Sequence, residues 1–156
     1  MIRFSVPGYK EFNIVHLVVD YNGTLAVDGA PLSEALVLLS ELSDLLDIHV
    51  VTADSHGSVR AHLKGESVHL RILTQGNQCQ QKMDFVLELG ATKTIAIGNG
   101  YNDHLMLKEA AVGIAVMQKE GLSSQTLVNA DLVFASIEDA LDCLRHPLRL
   151  IASLRR

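Results

Sequence analysis

No stretch of this chain approaches 18 consecutive apolar residues, and its opening segment, MIRFSVPGYK, lacks the long apolar core of a secretory signal. Those absences argue against a membrane span and against export, so a cytoplasmic chain is expected. Cysteine is sparse as well. Cys79 and Cys143 stand alone, with no CxxC and no paired histidine ligands, which argues against a disulfide framework and a zinc site. Positive charge is short: 13 Lys and Arg against 18 Asp and Glu give a net charge of -5. A chain without a basic face is not expected to bind a phosphate backbone, so nucleic acid is not an expected partner. Low-complexity tracts, long linkers and internal repeats are missing too.

What remains is an ordinary globular composition, 48% apolar and 20% charged, spread over 156 residues. That length suits one domain over 1–156, burying roughly 68–70% of its unfolded surface without staples. Short β-branched runs alternate with helical patterns. The runs are IVHLVV (14–19), IHVVT (48–52), VHLRIL (68–73), TIAI (94–97), VGIAV (112–116) and LVF (132–134). Most are almost wholly apolar, as in a parallel sheet covered on both faces; VHLRIL suits an edge. Helices are expected over 32–47, with Leu32, Leu36, Leu39, Leu42 and Leu46 on one stripe, and over 77–90, with Met83, Val86 and Leu87 inward and Gly90 past its end. Further helices are expected over 102–110, 122–130 and 136–146. A hairpin around Pro7-Gly8 is expected over 2–12, and a terminal helix over 146–156 that packs Leu148 and Ile151 on the body or a partner subunit. Alternation of this kind gives the α/β class, with right-handed crossovers and a doubly wound, mostly parallel sheet whose ligands bind beyond the carboxyl ends of the strands.

At those ends stand Asp20, Thr52 and the segment GNGYND with Asp103, while Lys82 lies in the helix after the third run. A carboxylate, a hydroxyl, an ammonium and a second carboxylate on one edge form a phosphoryl-transfer set. Asp20 can attack phosphorus. Main-chain N–H groups of Gly23 and Thr24 are expected to meet phosphate oxygens, with Gly23 supplying the backbone freedom. Thr52 donates a hydroxyl to the same oxygens, Lys82 neutralises charge, and Asp103 suits Mg²⁺ with Asn99 and Asn102 as neutral neighbours. Competing readings are weaker. DYNGT as a hairpin turn has no place in a parallel sheet, an EF-hand needs Gly where Leu25 stands, and GNGYND lacks the third Gly of a dinucleotide loop. A receiver domain needs an acidic pair near the first strand, where Val18 and Val19 precede Asp20. The seven histidines show no metal spacing, although His56 and His104 follow the second and fourth segments of the set.

These segments resemble the haloacid dehalogenase (HAD) superfamily. DYNGTL (20–25) parallels its DxDGT motif, VVTAD (50–54) brings Thr52, Lys82 is the third motif, and IGNGYND (97–103) parallels GDGxND. With HLMLKEAAVGIAV (104–116) following, the chain is most similar to the small soluble P-type-ATPase-like phosphatases. The resemblance implies a HAD-like Rossmannoid fold without a cap, since neither intervening stretch has room for one. It implies Asp20 as nucleophile. Asp20, the main-chain carbonyl of Asn22 and Asp103 would hold Mg²⁺, Thr52 and Lys82 the phosphoryl group, and Asn102 would support it. A small phosphorylated substrate or a phosphoprotein is implied, with a homo-oligomer or a large substrate shielding the open site. Two positions depart from the pattern. Asn22 replaces the acid–base Asp and can neither give nor take a proton usefully, so a slow enzyme and a catalytically weak phosphate- or metabolite-binding module are the two expectations. Asn99 replaces the first Asp of the fourth motif. Both departures are Asn-Gly pairs, prone to deamidation, which to normal Asp would regenerate both acids.

Overall fold

The structure, a computed structural model, describes residues 1–54 and 57–156. An antiparallel hairpin comes first, β1 (Ile2–Val6) and β2 (Lys10–Ile14). Its alternation buries Ile2, Phe4, Val6, Phe12 and Ile14, and the rings of Phe4 and Phe12 stack with centroids 4.6 Å apart. The run IVHLVV is therefore divided: Ile14 ends the hairpin, and the main sheet begins with β3 (His16–Asp20). A small hairpin follows, β4 (Ala26–Val27) and β5 (Ala30–Pro31), then α1 (Ser33–Leu42), β6 (Asp47–Thr52), α2 (Ser58–His62) and β7 (His69–Ile72). The chain crosses through α3 (Gln78–Leu89) to β8 (Thr94–Gly98), a 3-10 turn (Tyr101–Asp103) and α4 (His104–Glu109). It ends with β9 (Val112–Val116), α5 (Ser124–Asn129), β10 (Leu132–Phe134), α6 (Ile137–Arg145) and α7 (Pro147–Leu154).

Six strands form one parallel sheet in the order β10-β9-β8-β3-β6-β7, with β7 at an edge, as its broken apolar pattern requires. Alternating residues feed two cores. Leu17, Val19, Ile48, Val50, Ile95 and Ile97 pack with α1 and α6 on one face; Val18, Val51 and Ala96 pack with Phe85, Val86, Met106 and Leu107 of α3 and α4 on the other. From β3 the chain first builds outward through β6 and β7, then returns to place β8 on the opposite side of β3. The strand order thus reverses between β3 and β8, and their carboxyl ends part to leave a crevice. Among the described residues only the β4–β5 hairpin and α1 lie between β3 and β6, and only α2 and β7 between β6 and α3, so no cap domain covers that crevice.

Three helices differ from their sequence patterns. α1 stops at Leu42 rather than 47, where the Ser43 hydroxyl turns back onto Ser40 O at 2.6 Å and competes with the helical ladder. Its buried residues are Ala35, Leu39 and Leu42, with Leu32 and Leu36 half-buried. α3 turns Lys82, Phe85 and Val86 inward, which leaves Met83 half-buried and Leu87 48% exposed. α7 packs on β1 through Leu150, so Leu148 faces solvent. Among the described residues no helix is long and apolar enough to cross a membrane.

Candidate active site

The crevice collects the expected side chains. Asp20 ends β3, Thr52 ends β6, Lys82 comes from the first half of α3 and Asp103 closes the 3-10 turn; all four are buried. Lys82 Nζ donates to Asp20 Oδ1 at 2.5 Å and to Asp103 Oδ1 at 2.6 Å. A lysine removed from water persists only when paired in this way. Burial works against its charge, but Asp20 and Asp103 outweigh burial and hold the ammonium above the usual lysine range. The nucleophile candidate moves the other way. Burial pushes the Asp20 carboxyl up to about 7, Asp103 adds to the push, and Lys82 and Thr24 pull it back.

Backbone geometry makes room for the carboxylates. The second oxygen of Asp103 accepts the N–H groups of Asn99 at 2.9 Å and Gly100 at 2.8 Å, folding the turn around it. A side chain on Gly98 would come within 2.5 Å of Asp103, so only glycine allows that carboxylate to tuck under the end of β8. Gly23 has φ +79, and a side chain there would run into Asn99. The Thr24 hydroxyl lies 3.3 Å from Asp20 Oδ2 and 3.1 Å from Asn99 Oδ1.

One expectation is corrected here. The N–H of Gly23 donates to Ala26 O at 2.8 Å and that of Thr24 to Tyr21 O at 3.3 Å, so both serve the turn and neither faces a phosphate cradle. Thr24 instead touches Asp20 through its hydroxyl. Deamidation is likewise hindered, because the attacking nitrogens of Gly23 and Gly100 are both held in hydrogen bonds. Asn22 is exposed, and Asn102 Nδ2 donates to Gln78 Oε1 at 2.9 Å, tying the turn to the start of α3. His104 Nδ1 contacts Tyr101 O at 2.6 Å and Cys79 Sγ at 3.2 Å; His56 lies outside the described residues.

Thr52 is different in kind. Among the described residues its Oγ1 is the buried side-chain polar atom left without a hydrogen-bond partner. An unmade bond of this sort costs about 1–3 kcal/mol and marks a place that a ligand atom can complete. Beside it a cavity of about 440 Å³ is lined by Ala53, Asp54, Leu73, Thr74, Gln75 and Gln78. The described residues contain no group of three or more His, Cys, Asp and Glu side chains arranged to hold a metal.

Other participants escaped the sequence pattern. Gln118 Nε2 donates to Gly23 O at 3.0 Å and Thr24 O at 2.7 Å, Asn99 Nδ2 donates to Gly121 O at 3.0 Å, and Thr126 Oγ1 donates to Gly100 O at 2.5 Å. Each bonds to main chain, which carries no residue signature.

Among solved structures, the chain is similar to 3-deoxy-D-manno-octulosonate 8-phosphate phosphatase from Moraxella catarrhalis, solved with magnesium, phosphate and KDO. That likeness has a TM-score of 0.71 and 18% identity, covering 91% of this chain and 94% of that one. The cobalt-bound deoxy-D-mannose-octulosonate 8-phosphate phosphatase of Haemophilus influenzae gives 0.71 and 15%, over 91% and 90%. A Legionella pneumophila structure assigned to subfamily III A of the HAD superfamily gives 0.72 and 16%, over 90% and 87%. The fold is that of the HAD phosphatases. No protein-family model matches the chain. Over 63 residues it is 51% identical to an uncharacterised protein of Methanocaldococcus jannaschii, an alignment covering 40% of this chain and 68% of that protein. The chain belongs to that archaeal protein's family.

Proposed function

We propose that the chain is a Mg²⁺-dependent phosphohydrolase or phosphotransferase that passes a phosphoryl group through Asp20. The observation that carries this reading is the Asp20–Lys82–Asp103 cluster at the switch point with an unpartnered Thr52 hydroxyl beside it. Its fold relatives support the class, since the Moraxella protein is a phosphatase that binds magnesium and phosphate.

The donors suit a hard cation. Two carboxylates against one ammonium leave a negative excess when both are ionised, and Asp20 Oδ2 carries only a 3.3 Å hydroxyl contact. An oxygen-rich corner short of a full protein cage fits an ion that keeps its waters. Asp20, the Asn22 carbonyl and Asp103 would hold Mg²⁺, which when bound supplies charge neutralisation to phosphoryl oxygens. The Asn99 amide is occupied by Thr24 and Gly121 and is left out of that set.

The chain's own groups do the rest. Ionised Asp20 attacks phosphorus, its bond to phosphorus forms as the bond to the leaving oxygen breaks, and an aspartyl phosphate results. Lys82 and Thr52 hold the transferred oxygens, and Asn102 steadies the turn. Water then attacks phosphorus and returns Asp20 with inorganic phosphate. Asn22 gives no proton to the leaving group, so substrates with good leaving groups are favoured. The substrate is a small phosphorylated molecule or a phosphoprotein, and a second subunit covers the capless crevice. The finer kinship with soluble P-type-ATPase-like phosphatases rests on IGNGYND and the residues after it, in a single domain over 1–156 working in the cytoplasm.

A second reading, a phosphate- or metabolite-binding module, is favoured by Asn22 and by the commitment of Asn99 to structural bonds. Mg²⁺-dependent turnover of phosphate esters, acetyl phosphate and ATP separates the two, with Asp20→Asn as control. Turnover that survives Asp20→Asn removes the nucleophile assignment. Absence of both turnover and a beryllofluoride adduct selects the binding module.

A further inference from the structure

Asp20 stands at the head of a loop, and one segment grips that loop from the side. It is the stretch after β9. Gln118 uses its whole amide there: Nε2 donates to the carbonyls of Gly23 and Thr24, while Oε1 accepts the Ile137 N–H at 2.8 Å, where α6 begins. Two residues on, Glu120 Oε1 accepts the N–H of Asp28 at 2.8 Å. Asp28 is the first of the two turn residues between β4 and β5 and has φ +52. Next, Gly121 O accepts Asn99 Nδ2, and Ser123 N donates to Asn99 O at 2.9 Å. One short segment thus holds the nucleophile loop, the hairpin beyond it and the turn that carries Asp103.

We propose that Gln118 and Asn99 are positioning residues for Asp20, two amide pins that fix the nucleophile loop against the Asp103 turn. Both must be amides. Two carbonyls converge on Gln118 Nε2 and one faces Asn99 Nδ2, so an ionised carboxylate at either place keeps the donor at its first oxygen, Ile137 N–H or the Thr24 hydroxyl, but sets its second oxygen against carbonyls. Position 99 is then no blunted metal ligand. Asn99→Asp, which restores the acid of the GDGxND pattern, takes away a donor that the turn uses.

The inference rests on Asp20 as the reacting group, and its test separates the two claims. Wild type, Gln118→Glu and Asn99→Asp are compared with acetyl phosphate and Mg²⁺ from about pH 5 to about pH 8, since a carboxyl introduced at position 118 donates again when protonated and not when ionised. In Gln118→Glu, kcat falls about tenfold or more at the upper pH with KM within about twofold, because a displaced nucleophile loses rate rather than affinity. The deficit narrows toward pH 5, and Asn99→Asp lowers kcat. Amide exchange supplies the second readout: protection of Gly23 and Ala26 drops about tenfold or more in both variants while Val18 and Val19 of β3 keep theirs. Unchanged kcat in Gln118→Glu, a gain in Asn99→Asp, or protection lost equally in β3 overturns the proposal. A wild type without turnover defeats the phosphotransfer reading alone, and the exchange data then decide the pins.

Discussion

At the carboxyl ends of β3 and β6 the sheet buries charge, whereas at their amino ends it gathers imidazoles. His16, His49 and His69 stand on three neighbouring strands, with ring centroids 5.4 and 5.1 Å apart and the Phe85 ring edge-on to His49 at 5.5 Å. His16 Nδ1 lies 3.4 Å from His49 Nε2. Burial, then His69 and His16, push the His49 pKa down to about 4, against a smaller opposing pull from Asp47. Both ends favour a neutral form, but by different means. His49 is held neutral and stacks on His69. Asp20 is discouraged from ionising, and the cluster keeps an ammonium charged only by surrounding it with carboxylates.

The two ends therefore give stability opposite pH slopes. Asp20 has a raised folded pKa, so the native state holds extra protons and the contribution present at pH 4 is lost as pH rises through about 7. His49 has a depressed folded pKa, so its contribution is full above pH 6.5 and is lost as pH falls toward 4.

The sharpest way to break this contrast is Lys82→Met, which leaves two buried carboxylates without a cation. A loss of about 3–5 kcal/mol is expected in urea titrations at neutral pH, along with loss of turnover. Adding a carboxylate to the charged end by Asn22→Asp acts on rate instead. Phosphoenzyme hydrolysis should quicken roughly 10²-fold, read by single-turnover decay of labelled protein, because position 22 then activates water. Asp20→Asn should remove the fall in stability between pH 4 and pH 7, a change on the order of 2 kcal/mol in thermal unfolding across that range. Smallest of all, His49→Phe should reduce sensitivity to acid below pH 6 by ~1 kcal/mol, the discount reflecting a half-buried ring.

Much of the charged end was readable in the residues alone. A parallel sheet aligns its strand ends, so Asp20, Thr52 and Asp103 had to share an edge once the apolar runs were recognised, and Lys82 followed from its place in the next helix. The histidine group was not readable. Positions 16, 49 and 69 have no mutual spacing until the register pairs Val18 with His49 and His49 with His69. Gln118 was equally silent, because a side-chain amide that bonds main-chain carbonyls can occur at any polar position. The fate of the Gly23 and Thr24 N–H groups depended on where Ala26 and Tyr21 turned their carbonyls, a property of dihedral angles rather than residue type. Helix α1 was over-extended for a related reason: leucine spacing cannot announce a serine that folds back on its own helix.

The lone hydroxyl of Thr52 sets stability and recognition against each other. Thr52→Val replaces an unsatisfied buried donor with an apolar group of the same shape, and should raise the melting temperature by the equivalent of ~1 kcal/mol. The same change removes a contact from any oxyanion at the crevice and should weaken inorganic phosphate in calorimetric titration. In a lineage selected only for endurance, valine would be the expected occupant of position 52. Under the proposed phosphoryl role, threonine there gives up that stability for a contact to the bound oxyanion.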